Sequence, residues 1–118
     1  MARFSLTTPI YYVNAQPHLG HAYTTIVADA LARWHRLSGD DVHLLTGTDE
    51  HGLKMFQTAR DQGRETIDLA NEMSSYFREM YAKLNISYDN FMRTSDPAHH
   101  AASQAIWRAM LWISMSVV

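Results

Sequence analysis

The chain has 118 residues, of which 47% are hydrophobic and 19% charged, with a formal net charge of −2. That balance excludes disorder and coiled coil for most of the length, and it excludes a generally basic surface that would coat nucleic acid. No cysteine is present, so disulfides and thiolate-ligated zinc are excluded within these residues.

The first residues, Met1 to Leu6, hold too short an apolar run for a signal peptide, and no stretch approaches the roughly 20 apolar residues of a membrane span. A soluble intracellular protein without membrane partners is expected. Residues Phe4 to Val13 read FSLTTPIYYV, rich in β-branched and aromatic types and broken by Pro9, which predicts a strand over about Arg3–Thr8. A connection runs from Pro9 to Pro17. Leu19, Ala22, Tyr23, Ile26, Val27, Ala30, Leu31 and Trp34 then form an apolar stripe, predicting a helix over Leu19–Leu37 that stops at Gly39.

Val42–Thr46 predicts a short buried strand, with Thr48–Gly52 as a polar loop at its C-terminal end. Lys54–Gln62 reads as a short helix stopped by Gly63. Thr66 is placed to cap a longer one, whose stripe is Leu69, Ala70, Met73, Tyr76, Phe77, Met80, Tyr81 and Leu84. Asn85–Asn90 is a connection and Phe91–Thr94 a third strand. Asp96 and Pro97 suit the N-cap and first turn of a last helix reaching about Trp112.

The order β-α-β-α-α-β-α implies an α/β fold with a parallel sheet and right-handed crossovers. Ligands of such sheets bind at the carboxyl ends of strands. Two polar stretches fall there. Pro17-His18-Leu19-Gly20-His21 opens the long helix, with both histidines on one face of its first turn. Helix N-termini carry unpaired N–H groups and partial positive charge, which suits phosphate, although the same residues could simply start a helix. Thr48-Asp49-Glu50-His51-Gly52 supplies two carboxylates and another imidazole. The two stretches are expected to face one crevice and to suit a ligand with phosphate and ammonium groups. His18, His21, His51 and Asp49 are also sensible metal ligands, but a glycine inside the first turn fits a phosphate cradle better than a rigid metal face, so no metal is expected.

His18-Leu19-Gly20-His21 resembles the His-x-Gly-His signature of class I aminoacyl-tRNA synthetases and related nucleotidyltransferases. TTPIYYVNAQPHLGHAYTTIVADALARWHRLSG, LLTGTDEHGLK and LNISYDNFMRTS together resemble the start of the methionyl-tRNA synthetases, over about Ser5 to Trp112. The resemblance implies an enzyme that joins methionine to ATP, forms methionyl-adenylate, and passes the methionyl group to tRNA. It implies ATP with Mg2+ as cofactors and methionine, ATP and tRNA as partners. His18 and His21 would contact the phosphates, and Gly20 would leave room for adenosine against the backbone. Asn14 would lie on the ATP side. Asp49 would pair with the methionine ammonium, and Ile10 and Tyr12 would wall the thioether pocket.

Blander roles stand beside these. Ile10, Tyr11 and Tyr12 could be strand-end core, Glu50 and His51 could only shape their loop, and His99 and His100 would be solvated. Another class I synthetase, an adenylyltransferase and a non-catalytic product are the alternatives. Relatives are several times longer, so residues 1–112 are expected to be the first half of a Rossmann-like (HUP-type) nucleotide-binding domain, with 113–118 as an atypical tail. The half with the lysine loop and the inserted domain, where zinc is possible, would be missing. The strand at Arg3–Thr8 would then be an open edge, and the piece alone weakly folded at best and inactive. A cytoplasmic location is expected, with an organellar one left open.

Overall fold

A computed structural model describes the backbone of residues 1–116 and the side chains of residues 1–112. The expected tail at 113–118 thus lies outside the described side chains. The elements are β1 (Arg3–Thr7), β2 (Tyr11–Tyr12), α1 (Leu19–Leu37), β3 (Asp41–Asp49), α2 (Leu53–Asp61), α3 (Thr66–Lys83), β4 (Asn90–Arg93) and α4 (Pro97–Ser116). The α/β expectation holds, with all strand pairs parallel.

β3 is the spine of the sheet. Leu45 pairs with both Thr7 and Asn90, and Thr48 with both Tyr11 and Arg93, so β1 and β2 run end to end along one edge and β4 along the other. The outer edge of β1 has no strand partner among the described residues. β3 is longer than the apolar run Val42–Thr46 suggested, because Gly47, Thr48 and Asp49 go on pairing with β4 and β2.

β2 has no counterpart in the sequence reading, and it matters most for the site. From Thr7 to Tyr11 is four residues, while their partners Leu45 and Thr48 are three apart. The extra residue, at Pro9, acts as a bulge and reverses which side chain faces which side of the sheet. Tyr11 is turned into the core, at 8% exposure, and Tyr12 outward, at 68%.

Val42, Leu44, Thr46 and Thr48 share one face of β3, and α1 and α3 cover it. Near the strand's start, Leu44 packs with Ala28 and Ala32 of α1. Towards its end, Tyr11, Val13, Met55, Ala59, Leu69, Ala70, Phe77, Tyr81 and Phe91 form the larger cluster. Buried hydroxyls are linked across it: Thr8 Oγ1 to Thr46 Oγ1 at 2.7 Å, Thr46 Oγ1 to Tyr81 Oη at 3.1 Å, and Tyr11 Oη to Thr25 Oγ1 at 3.1 Å.

α1 has the expected span but does not bury its apolar stripe. Thr25, Ala28, Asp29 and Ala32 face the sheet, while Tyr23, Ile26, Val27, Leu31 and Trp34 are exposed. Small residues let the helix axis lie close to β3, and the buried polar atoms are paired. Asp29 accepts the Ser87 N–H and hydroxyl and the Arg33 guanidinium, at 2.7, 2.5 and 2.7 Å. One cap also differs from expectation. Thr66 is the first residue of α3, with Glu65 as an N-cap that makes no side-chain bond. Asp96 turns its carboxylate back to the Arg93 N–H at 3.2 Å, and α4 extends past Trp112 to Ser116 with residues 101–112 exposed.

Candidate functional site

His18 is the N-cap of α1 and His21 its third residue, and the two imidazoles satisfy the helix start reciprocally. His18 Nδ1 accepts the Gly20 N–H at 3.1 Å, and His21 Nδ1 accepts the His18 N–H at 3.0 Å. With Nδ1 accepting in both, the proton of each neutral ring sits on Nε2. The rings lie 3.9 Å apart, and Tyr11 and Phe77 meet the His21 ring edge-on at 4.8 and 5.2 Å. Burial pushes the His21 pKa down from its ordinary value, and the neighbouring His18 pushes it further. No acidic residue stands in the first turn. The result is a paired set of Nε2–H donors at a positive helix end, a suitable cradle for phosphate.

Gly20 serves this geometry directly. A Cβ there would come within 3.0 Å of His18 Cε1 and 3.2 Å of its Nδ1, so a side chain would push the capping ring aside. In this structure the space at Gly20 is taken by an imidazole.

The second part of the site is at the end of β3. The β2 register sets Tyr12 opposite Asp49. Both line a cavity of about 350 Å3 together with Val13, Asn14, His51, Gly52, Leu53, Lys54 and Met55. Asn14 therefore lines the same cavity as Asp49, and Ile10, 40% exposed, is outside that lining. His18 lines another cavity, of about 470 Å3, walled by Gln16, Leu19, Tyr76, Glu79, Met80 and Lys83. The two cavities are lined from opposite ends of the connection Val13–Pro17, by Val13 and Asn14 on one and by Gln16 and Pro17 on the other.

Sequence reasoning left Glu50 as a loop-shaping residue, and the structure makes it the anchor of the loop. It is 3% exposed, and Arg93 grips its carboxylate through Nε and Nη2 at 2.7 and 2.9 Å. Thr48 Oγ1 donates to it at 2.8 Å, and the Ser95 hydroxyl donates as well. Burial alone would raise the Glu50 pKa, but the bonds from Arg93, Ser95 and Thr48 and the Arg93 charge hold it below the ordinary value. Arg93 also donates to Asn71 Oδ1 at 2.7 Å. The signal for this pair was absent from any local pattern, since its members come from different strand ends. His51 Nε2 lies 3.2 Å from the Thr94 carbonyl, and its ring 5.7 Å from that of His100, which is less isolated than expected. His35 likewise has a partner, Asp40, at 2.8 Å.

Among the described residues no group of three or more His, Cys, Asp or Glu is arranged to hold a metal ion, and no helix is long and apolar enough to cross a membrane.

Parallel strands, a phosphate-suited helix start after the first of them and an acidic loop after the next are the arrangement of a Rossmann-like α/β fold of the class I synthetase type. Residues 4–112 match the family described as tRNA synthetases class I (M), and the chain belongs to that family. It is similar to the methionine–tRNA ligase of Mesorhizobium japonicum, 55% identical over 92% of this chain and 21% of that protein. The probable mitochondrial methionine–tRNA ligase of Dictyostelium discoideum is 48% identical over 90% of this chain and 18% of its own length. Among solved structures, the Mycobacterium tuberculosis methionyl-tRNA synthetase in complex with methionyl-adenylate superimposes with a TM-score of 0.90 at 52% identity, covering 93% of this chain and 22% of that one. The chain thus spans about a fifth of the length of the relatives it matches.

Proposed function

We propose that these residues form the methionine- and phosphate-binding half-site of a methionine–tRNA ligase, which activates methionine with ATP to methionyl-adenylate and transfers it to tRNA. The observation that carries the reading is the register pair Tyr12–Asp49. It puts an aromatic wall beside a carboxylate on one cavity, as an amino acid with an apolar thioether and an ammonium group requires. The likeness to a methionyl-adenylate-bound synthetase supports it.

In the first step the methionine carboxylate attacks the α-phosphorus of ATP and pyrophosphate leaves. The nucleophile is already ionised, so no general base is needed, and positioning and charge stabilisation dominate. Asp49 would hold the ammonium, with Tyr12 along the thioether chain and Asn14 beside them. His18 and His21 would donate Nε2–H to phosphate oxygens, with the α1 N-terminus behind them. Mg2+ would arrive on the nucleotide's own phosphates. In this scheme zinc has no place among these residues.

The chain matches about a fifth of the relatives, so the test uses a hybrid in which residues 4–112 replace the matching segment of the Mycobacterium tuberculosis synthetase. The hybrid is expected to catalyse methionine-dependent ATP–pyrophosphate exchange and to refuse leucine, isoleucine and valine. A folded hybrid without exchange, or one equally active with leucine, overturns the reading. Residues 1–118 alone are expected to give no measurable exchange.

A further inference from the structure

We infer that Thr94, just beyond β4, is a positioning residue for Asp49, holding its side chain in one rotamer so that one edge of the carboxylate stays turned to a bound ammonium group; the ligand in this inference rests on the function proposed above. Thr94 is 6% exposed and touches neither the Tyr12–Asp49 cavity nor the histidine pair. Its hydroxyl oxygen accepts the Glu50 N–H at 2.8 Å, and its single proton then goes to Asp49 Oδ1 at 3.4 Å. The His51 N–H donates to the same Oδ1 at 3.3 Å. Both donors thus converge on one oxygen, and Oδ2 is left for a cationic partner.

The chain of support continues behind Thr94. Its carbonyl meets His51 Nε2, and its own N–H donates to Thr48 O at 3.1 Å, so its backbone is tied to the loop on one side and to β3 on the other. Glu50, whose N–H it receives, is held by Arg93, the residue before it. The loop Thr48–Gly52 is therefore clamped to the end of β4 through a buried ion pair, and Thr94 converts that clamp into an orientation of Asp49. A carboxylate oriented before the ligand arrives loses less conformational freedom on binding.

The test uses the 118-residue chain with Thr94→Val, which keeps shape and removes the hydroxyl, and Thr94→Ser, which restores it. In the unliganded chain, side-chain couplings of Asp49 measured by NMR are expected to show one χ1 rotamer, averaged in Thr94→Val and single again in Thr94→Ser. A single, unchanged Asp49 rotamer in Thr94→Val overturns the inference whatever the ligand. Binding adds a second readout by titration with methionine and with 4-(methylsulfanyl)butanoate, which is methionine without its ammonium group. Thr94→Val is expected to weaken methionine about tenfold and leave the desamino acid unchanged. Equal weakening of both ligands identifies a merely structural role and overturns the inference. If the unsubstituted chain holds Asp49 in one rotamer and prefers the desamino acid, the functional reading fails while the positioning by Thr94 is still decided by the rotamers.

Discussion

His18 and His21 cap one helix with each other's help: the His18 N–H is received by His21 Nδ1 at 3.0 Å, while His18 Nδ1 receives the Gly20 N–H. The same bonds that start α1 leave both rings with a proton on Nε2. Structural and chemical roles therefore sit on opposite nitrogens and can be separated by substitution.

His18→Asn keeps an oxygen that can cap the helix but shortens the reach to a phosphate. In the hybrid synthetase this variant is expected to keep its melting temperature and to lose pyrophosphate exchange by about a hundredfold, the order seen when one transition-state donor is removed. His18→Ala should lose the same activity and also about 1 kcal/mol of stability. Comparing thermal melts with exchange rates separates the two effects.

Burial, with His18 beside it, holds the His21 pKa below the ordinary imidazole value of about 6.5. The unfolded chain therefore takes up this proton first as pH falls. Its contribution to stability is complete above 6.5 and is lost as pH drops from there through the lower folded value. NMR titration of the His21 ring should place its midpoint below those of exposed histidines, and urea midpoints should fall between pH 7.5 and pH 5.5. A His21 midpoint above 6.5 would contradict this.

Against the upward push of burial, the bonds from Arg93, Ser95 and Thr48 hold the Glu50 pKa below the ordinary glutamate value of about 4.5. Its contribution is present above 4.5 and lost as pH falls through the folded value. Glu50→Leu leaves the Arg93 guanidinium without its counter-ion and is expected to cost about 3 kcal/mol or more in chemical denaturation. Substituting both, as Glu50→Leu with Arg93→Met, should recover a substantial part of that loss.

Gly47 faces the backbone of β4: a Cβ there would lie 1.9 Å from the Met92 carbonyl oxygen. Gly47→Ala must part β3 from β4 where the site loop begins, and a loss of about 3–4 kcal/mol in urea unfolding is expected. At Gly39, whose φ is +88° with nothing near, the same substitution meets only backbone strain and should cost about 1 kcal/mol.

The buried side of α1 can be tested by size. Ala32 is fully buried, so Ala32→Leu should push the helix off β3 at a cost of about 1–3 kcal/mol. Ile26→Ser, on the exposed stripe at 45% exposure, should stay within about 0.5 kcal/mol.

Periodic features were legible in the sequence. The helices at Leu19–Leu37 and Thr66–Lys83 and the strand centred on Leu44 follow from spacing and turn residues. Hydrophobicity misdirected the face of α1, because close packing on β3 is set by Ala28 and Ala32, which weigh little in any apolar pattern. β2 is two residues long and has no period to detect. Glu50 and Arg93 are 43 residues apart, and a pair so distant leaves no local trace. Of the candidate site, the placement of His18, His21 and Asp49 after strands was readable in the sequence, whereas the pairing of Tyr12 with Asp49 depends on a register that no local pattern carries.

The extra residue at Pro9 lies between two stretches that are each in register with β3, Thr7 with Leu45 and Tyr11 with Thr48. Paired residues of a ladder face the same side, so Tyr11 follows Thr48 into the core and Tyr12 follows Asp49 outward. The partner on β3, rather than the length of Thr8–Ile10, decides which tyrosine is buried. Deleting one residue from Thr8–Ile10 would remove the bulge and leave both tyrosines facing as they do, so this connection accepts a change of length as long as the register with β3 is kept.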